Sequence, residues 1–345
     1  MLSRCFATSS PFFLEYAAVV QHLLSLFWLI LGITLLVGGA EVMLRGATAL
    51  AKRLGVPTFV IGLTVVAFGT SMPELATGIG AVLKGNSELI TGTVVGSNIA
   101  NIGLVLGLAA LIRPARIRGG VVRREIPMLI VVTLALVLAL FGGSVSRLEA
   151  LLLTIGFAAF IGWTLFASRH LGPEDSALVL ESETEAEEGQ VPRKSVPVCL
   201  AFVVAGLASM VLGSNLAVEG ATALAEAVGV PAFVIGLTLV ALGTSLPEVV
   251  TTVMAALKGQ SDLAVGNVLG SNIFNILCVV GISGLIGPLD VPEMALQRDA
   301  WVMLGMTLLL LPIMITRFTI SRPEGLVLLL AYVAYIALIA LPTVQ

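Results

Sequence analysis

Charged residues are scarce in this chain of 345 residues: they make up 11% of it, whereas hydrophobic residues make up 58%. Soluble domains carry about 25% charged residues, so the composition excludes an ordinary soluble globular protein. The mean hydropathy is +1.07, and apolar stretches of about 20 residues recur along the whole length, as in polytopic helical membrane proteins. We therefore expect an all-α fold in a lipid bilayer.

Histidine and cysteine are rarer still. The two histidines, His22 and His170, accompany no nucleophile or metal motif. The three cysteines, Cys5, Cys199 and Cys278, have no spacing typical of a disulfide framework or a zinc site, and Cys278 is expected to be a core residue. The chain is therefore not expected to be an enzyme, and no cofactor, nucleic acid or obligate protein partner is expected.

Ten apolar segments are long enough to cross a membrane as helices. Their approximate ranges are 20–44, 57–83, 88–112, 125–142, 148–168, 196–224, 231–257, 262–287, 299–316 and 323–342. The second, third, seventh and eighth are rich in Gly, Ser, Thr and Asn, so they are not expected to be plain lipid-facing helices.

Basic residues are distributed unevenly between the two sides of the membrane. Loops after odd-numbered segments hold about 14 of the 18 lysines and arginines, and the opposite side has only Arg4, Lys84, Arg147 and Arg298. Because basic loops stay in the cytoplasm, both termini are predicted outside. Residues 169–195 are predicted inside, in a multi-pass protein of the plasma (inner) membrane.

Two stretches are predicted to lie outside the helical halves. Residues 1–19 are expected to be an N-terminal extension, or to result from a start codon assigned too early. A cleaved signal peptide is weakly supported, because Pro11 and Glu15 interrupt its apolar run. Residues 169–195 contain seven acids between Glu174 and Glu188. This acidic run is typical of a solvated cytoplasmic linker and lacks the ligand spacing of an EF-hand calcium loop.

The chain contains an internal repeat. Residues 56–112 align with 230–286 at a constant offset of 174, without gaps, and match at roughly 34 of 57 positions. The predicted repeats are 20–168, with its motif at 62–112, and 196–345, with its motif at 236–286. Each half holds five segments, an odd number, so the halves must cross in opposite directions. This is the inverted-topology repeat of many secondary transporters.

A carboxylate lies deep in the apolar part of each repeat. "GLTVVAFGTSMPE" ends at Glu74, and "GLTLVALGTSLPE" ends at Glu248. At 1.5 Å per residue, Glu74 lies about 15 Å from Lys84, near the middle of a hydrocarbon core about 30 Å thick. A charge there costs at least about 2.5 kcal/mol. No Lys or Arg is placed at a comparable depth, so a cation is the expected partner.

The helix is expected to break at Pro73, which has no amide hydrogen to donate. The first half-helix would then present backbone carbonyls from about 67 to 70 to a cation. Ser71 and Glu74 also fit a capping box, S-x-x-E, in which the carboxylate would only close the second half-helix. The recurrence of the same pattern at Glu248 favours ion binding.

Polar residues in the next segment of each repeat are further candidate ligands. "GSNIANIG" at 96–103 and "GSNIFNIL" at 270–277 place Ser and Asn at i and i+4, on one helical face. These four residues are Ser97, Asn101, Ser271 and Asn275. Interhelical packing worth around 0.6 kcal/mol is the alternative to ligation. Asn98 and Asn272 are further candidate ligands, ranked below these four because they point elsewhere and could instead cap a helix or bind backbone at a break.

Carboxylate, hydroxyl, amide and carbonyl oxygens suit calcium and sodium rather than zinc or copper. Two negative charges balance one calcium ion, which takes about six to eight oxygen ligands. Competition between sodium and calcium for the same oxygens would give antiport, and exchange would be obligatory if the empty site could not reorient.

At these residues the sequence resembles the calcium/cation antiporter superfamily, and within it the prokaryotic sodium/calcium exchangers. Their repeats carry G-T-S-x-P-E in one helix and G-S-N/C-x-x-N/D in the next, here "GTSMPE" with "GSNIAN" and "GTSLPE" with "GSNIFN". The resemblance implies ten helices, with the first and sixth sliding across a core formed by the second, third, seventh and eighth. The implied ligands are Glu74, Glu248, Thr70, Thr244, Ser97, Ser271, Asn101 and the carbonyls of Ala67 and Ala241, with Ser71 and Ser245 also in the motif.

One position departs from the family pattern. Sodium/calcium exchangers commonly have an aspartate where this chain has Asn275. Asparagine cannot ionise, so the site would keep two negative charges. The stoichiometry, any potassium dependence and the proton sensitivity are left open.

The resemblance implies exchange of cytoplasmic calcium for external sodium. A calcium/proton exchanger, with Glu74 and Glu248 as proton carriers, is an alternative. A passive cation channel would also need acidic residues near the midplane, but the inverted repeat and a site that buries its ligands disfavour it.

Overall fold

The computed structural model describes residues 11–116, 119–168, 195–230 and 243–340. The helices are α1 (Pro11–Leu54), α2 (Thr58–Thr70), α3 (Met72–Leu83), α4 (Glu88–Ile112), α5 (Gly119–Leu140), α6 (Arg147–Ser168), α7 (Val196–Ala227), α8 (Leu246–Leu257), α9 (Ser261–Ile286), α10 (295–317) and α11 (Arg322–Ala340). Four two-residue strands lie between them: β1 (Ala115–Arg116), β2 (Ser144–Val145), β3 (Leu289–Asp290) and β4 (Thr319–Ile320). The prediction of an all-α polytopic fold is confirmed.

Most of the described helices can cross a membrane. Seven are long and apolar enough by themselves, and the bent pair α2–α3 makes an eighth span. Two more predicted segments are helical where described: α5, which carries three charged residues at 123–125, and α8, the second half of the seventh segment. In the most apolar part of α4, 72% of the residues are buried, and in that of α9, 83% are. The corresponding share is 22% in α6 and in α11. The third and eighth segments therefore form the core.

α1 is longer than the predicted first segment, 20–44. It begins at Pro11, inside the stretch predicted as an extension, and ends at Leu54. Residues 45–54, "RGATALAKRL", are mostly good helix formers, so the helix continues beyond the apolar part that hydropathy detects. It stops where Gly55 adopts φ +66°, the left-handed conformation that commonly ends helices.

The two repeats fold alike. The left-handed Gly55 after α1 recurs as Gly229 after α7. A π-helical turn in α4 (Asn101–Leu106) recurs in α9 (Asn275–Val280), and strand β1 recurs as β3. Each pair is separated by the offset of 174 found in the sequence.

Two small ribbons show that the repeats have opposite orientations. β1 pairs with β4, and β2 pairs with β3, both antiparallel. Because β1 precedes α5 and β2 follows it, the ribbons lie at opposite ends of that helix. Each ribbon joins one repeat to the other, and the repeat offset exchanges the roles of the two ribbons. This is the arrangement expected for a two-fold axis in the plane of the membrane.

Glycines let α1 and α7 pack backbone against backbone. They recur every seven residues, at 32, 39 and 46 in α1 and at the equivalent positions 206, 213 and 220 in α7. A Cβ atom on Gly39 would lie 2.7 Å from the carbonyl oxygen of Gly206, and one on Gly206 would lie 2.6 Å from that of Gly39. Small residues permit such close helix approach in membranes, so α1 and α7 form one tightly joined pair.

α2 meets the core helix α9 in the same way. A Cβ atom on Gly266 would lie 2.6 Å from the carbonyl oxygen of Phe59, and one on Gly62 would lie 2.8 Å from that of Leu263. This close contact holds the first turns of α2 against α9.

Candidate ion-binding site

The second predicted segment bends where α2 meets α3. α2 ends at Thr70, Ser71 leaves the helical conformation with φ −88° and ψ 7°, and α3 begins at Met72 with Pro73 in its first turn. The two halves are bent by 40°. The helix break therefore lies where the proline predicted it, and Glu74 occupies the first turn of α3.

The second repeat repeats this geometry. Ser245 has φ −89° and ψ 0°, and α8 begins at Leu246, with Pro247 and then Glu248 in its first turn. Glu74 and Glu248 are each 1% exposed, so both carboxylates lie inside the protein as predicted.

Each break contacts the carboxylate of the other repeat. The Ser71 hydroxyl donates to Oε1 of Glu248 at 2.8 Å, and the Ser245 hydroxyl lies 3.5 Å from Oε1 of Glu74. Neither serine caps its own helix, so the capping box that the sequence also permits is not formed. The crossed contacts bring the two carboxylates into one buried site, where two negative charges would repel one another.

Nothing among the described residues neutralises these carboxylates. The ion pairs of those residues involve neither Glu74 nor Glu248, and Oε2 of each has no hydrogen-bond partner there. Buried charge without a partner is costly. The pair therefore requires protons or a cation.

Four more buried oxygens of the predicted set have no hydrogen-bond partner among the described residues. They are Oγ1 of Thr244, Oγ of Ser271, Oδ1 of Asn101 and Oδ1 of Asn275. Together with the two glutamate Oε2 atoms they number six, the lower limit of calcium coordination, about six to eight. The Ser97 hydroxyl is instead engaged with that of Ser245 at 3.3 Å.

Other predicted ligands are occupied by local contacts. Thr70 Oγ1 lies 3.3 Å from the carbonyl oxygen of Ala67, which also accepts the amide of Ser71 at 3.1 Å. Both oxygens would have to give up these bonds to bind an ion, so their role stays a prediction. Ala241 lies outside the described residues.

Asn267 contacts the predicted site but is not among the ligands predicted from the sequence. It is fully buried, its Oδ1 lies 3.3 Å from Thr70 Oγ1, and its Nδ2 donates to Thr252 Oγ1 at 3.0 Å. It lies one helical turn before Ser271, so its spacing was a usable signal. Its repeat equivalent is Thr93, which kept it out of the shared motif.

Four asparagines join α4 to α9. Nδ2 of Asn101 donates to Oδ1 of Asn272 at 3.1 Å, and Nδ2 of Asn275 donates to Oδ1 of Asn98 at 3.4 Å. Nδ2 of Asn98 also lies 3.5 Å from the backbone oxygen of Asn272. Asn98 thus contacts backbone, whereas Asn272 accepts a bond from a side chain, and a ligand role for either residue stays a prediction.

A small cleft reaches Glu74 from the first repeat. It is lined by Glu74, Gly78, Leu89 and Thr93 and lies between α3 and α4. Leu89 is 59% exposed, whereas its repeat equivalent, Leu263, is 0% exposed and packs in a cluster with α1. Leu89 of the first repeat is therefore exposed at a position where its equivalent in the second repeat, Leu263, is covered.

Polar contacts tie α1 to the covered side. Nζ of Lys258, at the end of α8, lies 2.5 Å from Oε2 of Glu41, and Nε2 of Gln260 donates to Oγ1 of Thr48 at 3.3 Å. In the opposite half, Oγ1 of Thr222, the equivalent of Thr48, has no partner among the described residues.

Comparisons with known proteins give a consistent result. The family model described as sodium/calcium exchanger protein matches residues 24–166 and 198–341. The chain is 37% identical to the sodium/calcium exchanger MaX1 of Methanosarcina acetivorans, covering 90% of this chain and 97% of that protein. It is 38% identical to the inner membrane protein YrbG of Escherichia coli, covering 82% and 86%.

The fold also matches a solved transporter structure. The sodium-calcium exchanger NCX_Mj, soaked with Na+ and Sr2+, superposes with a TM-score of 0.77 at 31% sequence identity. The match covers 91% of this chain and 98% of that one. Both repeats and the central site therefore fall within the matched region.

Proposed function

Because the chain belongs to the sodium/calcium exchanger family, we propose that it exchanges Ca2+ for Na+ at the site between its two helix breaks. The observation that carries this proposal is the pair of buried carboxylates, Glu74 and Glu248, whose free oxygens face no basic partner among the described residues. Their two negative charges match one calcium ion, and sodium ions would compete for the same oxygens.

The proposed ligands extend the carboxylates with neutral oxygens. They are the six free oxygens of Glu74, Glu248, Thr244, Ser271, Asn101 and Asn275. Further oxygens would coordinate the ion when sodium replaces calcium, and they come from Ser97, Ser71, Ser245, Thr70 and Ala67. A mixed set of this kind suits hard cations. It also gives sodium and calcium overlapping but different subsets of oxygens.

Calcium-45 flux in proteoliposomes under separate sodium, potassium and proton gradients tests the ion pair. We expect an outward-directed sodium gradient to drive calcium uptake, and a proton gradient without sodium to drive little. Uptake driven by protons alone would replace the proposal with calcium/proton exchange, and flux without any counter-ion would indicate a channel.

Alternating access follows from the asymmetry between the repeats. α1 covers the second repeat through Glu41–Lys258 and Thr48–Gln260, whereas Thr222 in α7 lacks the matching contact. We propose that the pair α1–α7 shifts during transport, releasing the contacts with Lys258 and Gln260 and bringing α7 toward their repeat equivalents, Lys84 and Asn86. The described state is then open toward the loop after α3.

Removing the Glu41–Lys258 contact should shift the protein toward the opposite state. Because exposed ion pairs contribute about 0–1 kcal/mol, Glu41→Gln should change the populations by up to about fivefold. In a Leu263→Cys background, labelling by a membrane-impermeant thiol reagent should become faster. The charge reversal Glu41→Lys with Lys258→Glu should restore slow labelling, and unchanged labelling in Glu41→Gln would contradict the role of this contact.

The same labelling tests the orientation. The basic loops support a position in the plasma (inner) membrane with residues 169–195 in the cytoplasm, as a linker between the repeats. The name of the Escherichia coli relative, an inner membrane protein, agrees with this location. Reagent added from the cytoplasmic side alone should then reach Leu263→Cys.

Asn275 should make transport less sensitive to pH than an aspartate would. Its Nδ2 donates to Oδ1 of Asn98, a bond that an ionised aspartate could not make. In Asn275→Asp, the added group gains or loses a proton, so the ratio of its calcium flux to that of the wild type should change between pH 6 and pH 8. A ratio that stays constant across this range would contradict the proposed place of Asn275 in the site.

A further inference from the structure

Among the four asparagines between α4 and α9, two donate a hydrogen bond from their side-chain nitrogen to the side-chain oxygen of another asparagine. Asn101 and Asn275 donate through Nδ2 to Asn272 and Asn98, respectively, at 3.1 and 3.4 Å. Their own carbonyl oxygens have no partner among the described residues. The repeat offset of 174 relates the two contacts, so the same arrangement occurs twice.

The orientation of a side-chain amide decides what it offers a cation. Its oxygen accepts and its nitrogen only donates, and the two atoms project from the same carbon in different directions. When an acceptor holds the nitrogen, the oxygen is turned the other way. Next to two carboxylates, this orientation decides whether asparagine presents a cation ligand or a repelling N–H group.

The helix alone does not set this orientation. Asn101 and Asn275 are each the first residue of a π-helical turn, where side chains leave the regular α-helical register. The bond from the facing helix therefore supplies the constraint. Asn98 and Asn272 are each 1% exposed, and Asn98 is held further by contacts of 3.5 Å to the Asn272 backbone and 3.7 Å to Met303 Sδ.

We propose that Asn272 and Asn98 are positioning residues: they hold the amides of Asn101 and Asn275 so that both oxygens face the transported cation, and they do not bind the cation themselves. The inference rests on the proposed function. It also gives a physical reason for the first asparagine in each G-S-N-x-x-N motif, because this residue orients the second asparagine of the motif on the opposite helix.

A double-mutant cycle separates positioning from general packing. Removing a group that orients a metal ligand typically costs about 10–100-fold in affinity, so Asn272→Leu should weaken Ca2+ binding about tenfold. In an Asn101→Ala background, the same substitution should cause no further loss, because the ligand it orients is already absent. Asn272→Asp keeps the acceptor oxygen and should lose no affinity. Calorimetric Ca2+ titration of the purified protein measures each variant.

Controls make the result specific to the site. Thr307→Val removes a buried hydroxyl that donates to the Met303 carbonyl at 2.8 Å, and it should leave Ca2+ affinity unchanged. If Asn272→Leu prevents folding, the cycle of Asn98→Leu with Asn275→Ala repeats the test in the other repeat.

Additive losses in the cycle would overturn the positioning role, as would an Asn272→Asp variant as weak as Asn272→Leu. Sodium-driven calcium-45 flux of the wild type separates this failure from failure of the proposed function. A wild type that transports while Asn272→Leu binds normally would contradict only the positioning role. A wild type that neither binds Ca2+ nor transports it would contradict both.

Discussion

Replacing Glu248 by glutamine is expected to abolish sodium-driven calcium flux, and Glu74→Gln should do the same. Each substitution preserves the size of the side chain and a carbonyl oxygen, but reduces two negative charges to one. A buried calcium ion would then carry one positive charge that no carboxylate balances. Breaking a buried ion pair costs about 3–5 kcal/mol, so affinity should fall by about a hundredfold or more.

Thermal unfolding distinguishes loss of a ligand from loss of structure. Two negative charges in one buried site would repel one another, so neutralising one should leave the unfolding midpoint unchanged or higher in buffer without Ca2+ and Na+. Calcium should raise the midpoint of the wild type, because an ion that binds only the folded state stabilises it. This increase should be absent in both variants.

Glu125→Gln is a matched control for these substitutions. Glu125 is a buried carboxylate in α5, 8% exposed, and it lies outside the candidate site. Its neutral variant should transport calcium like the wild type. If Glu74→Gln or Glu248→Gln also transported normally, the two glutamates would not be ligands.

Valine in place of Gly39 is expected to prevent assembly of the α1–α7 pair. A Cβ atom there would lie 2.7 Å from the Gly206 carbonyl oxygen and 2.8 Å from the Met210 side chain, and the facing backbone cannot move aside cheaply. Overpacking typically costs about 1–3 kcal/mol, and contact with backbone puts this case at the upper end. The yield of monodisperse protein and its unfolding midpoint measure the effect.

Gly38→Val provides the control in the adjacent residue. A Cβ atom on Gly38 would meet nothing within 4 Å, and the residue is exposed on the lipid-facing side. Because helix propensity changes equally at both positions, the difference between the variants isolates the helix contact. Equal losses at both glycines would contradict the packing of α1 against α7.

The sequence was sufficient to predict the carboxylates and the helix breaks. Pro73 and the depth of Glu74 are local features, and their recurrence at the offset of 174 excluded chance. The repeat also predicted the inverted arrangement that the two ribbons display. These predictions needed only helical periodicity, the bilayer thickness and the chemistry of proline.

Contacts between the repeats could not be predicted in the same way. Ser71 fits a local capping box with Glu74, yet its hydroxyl donates to Glu248, because only the docked halves bring that carboxylate within reach. The orientation of the Asn101 amide likewise depends on Asn272 across the helix interface. Asn267 was missed because the motif was defined by identity between repeats, and Thr93 occupies its equivalent position.

Anomalous diffraction from crystals soaked in Sr2+ tests the central claim most directly. Strontium is a heavier divalent cation that would report the calcium position. We expect one strong peak between Glu74 and Glu248, near the calcium–oxygen range of about 2.3–2.6 Å from their carboxylates, weakening as Na+ is raised. Peaks only at the protein surface, or a central peak that Na+ does not displace, would contradict exchange of the two ions at this site.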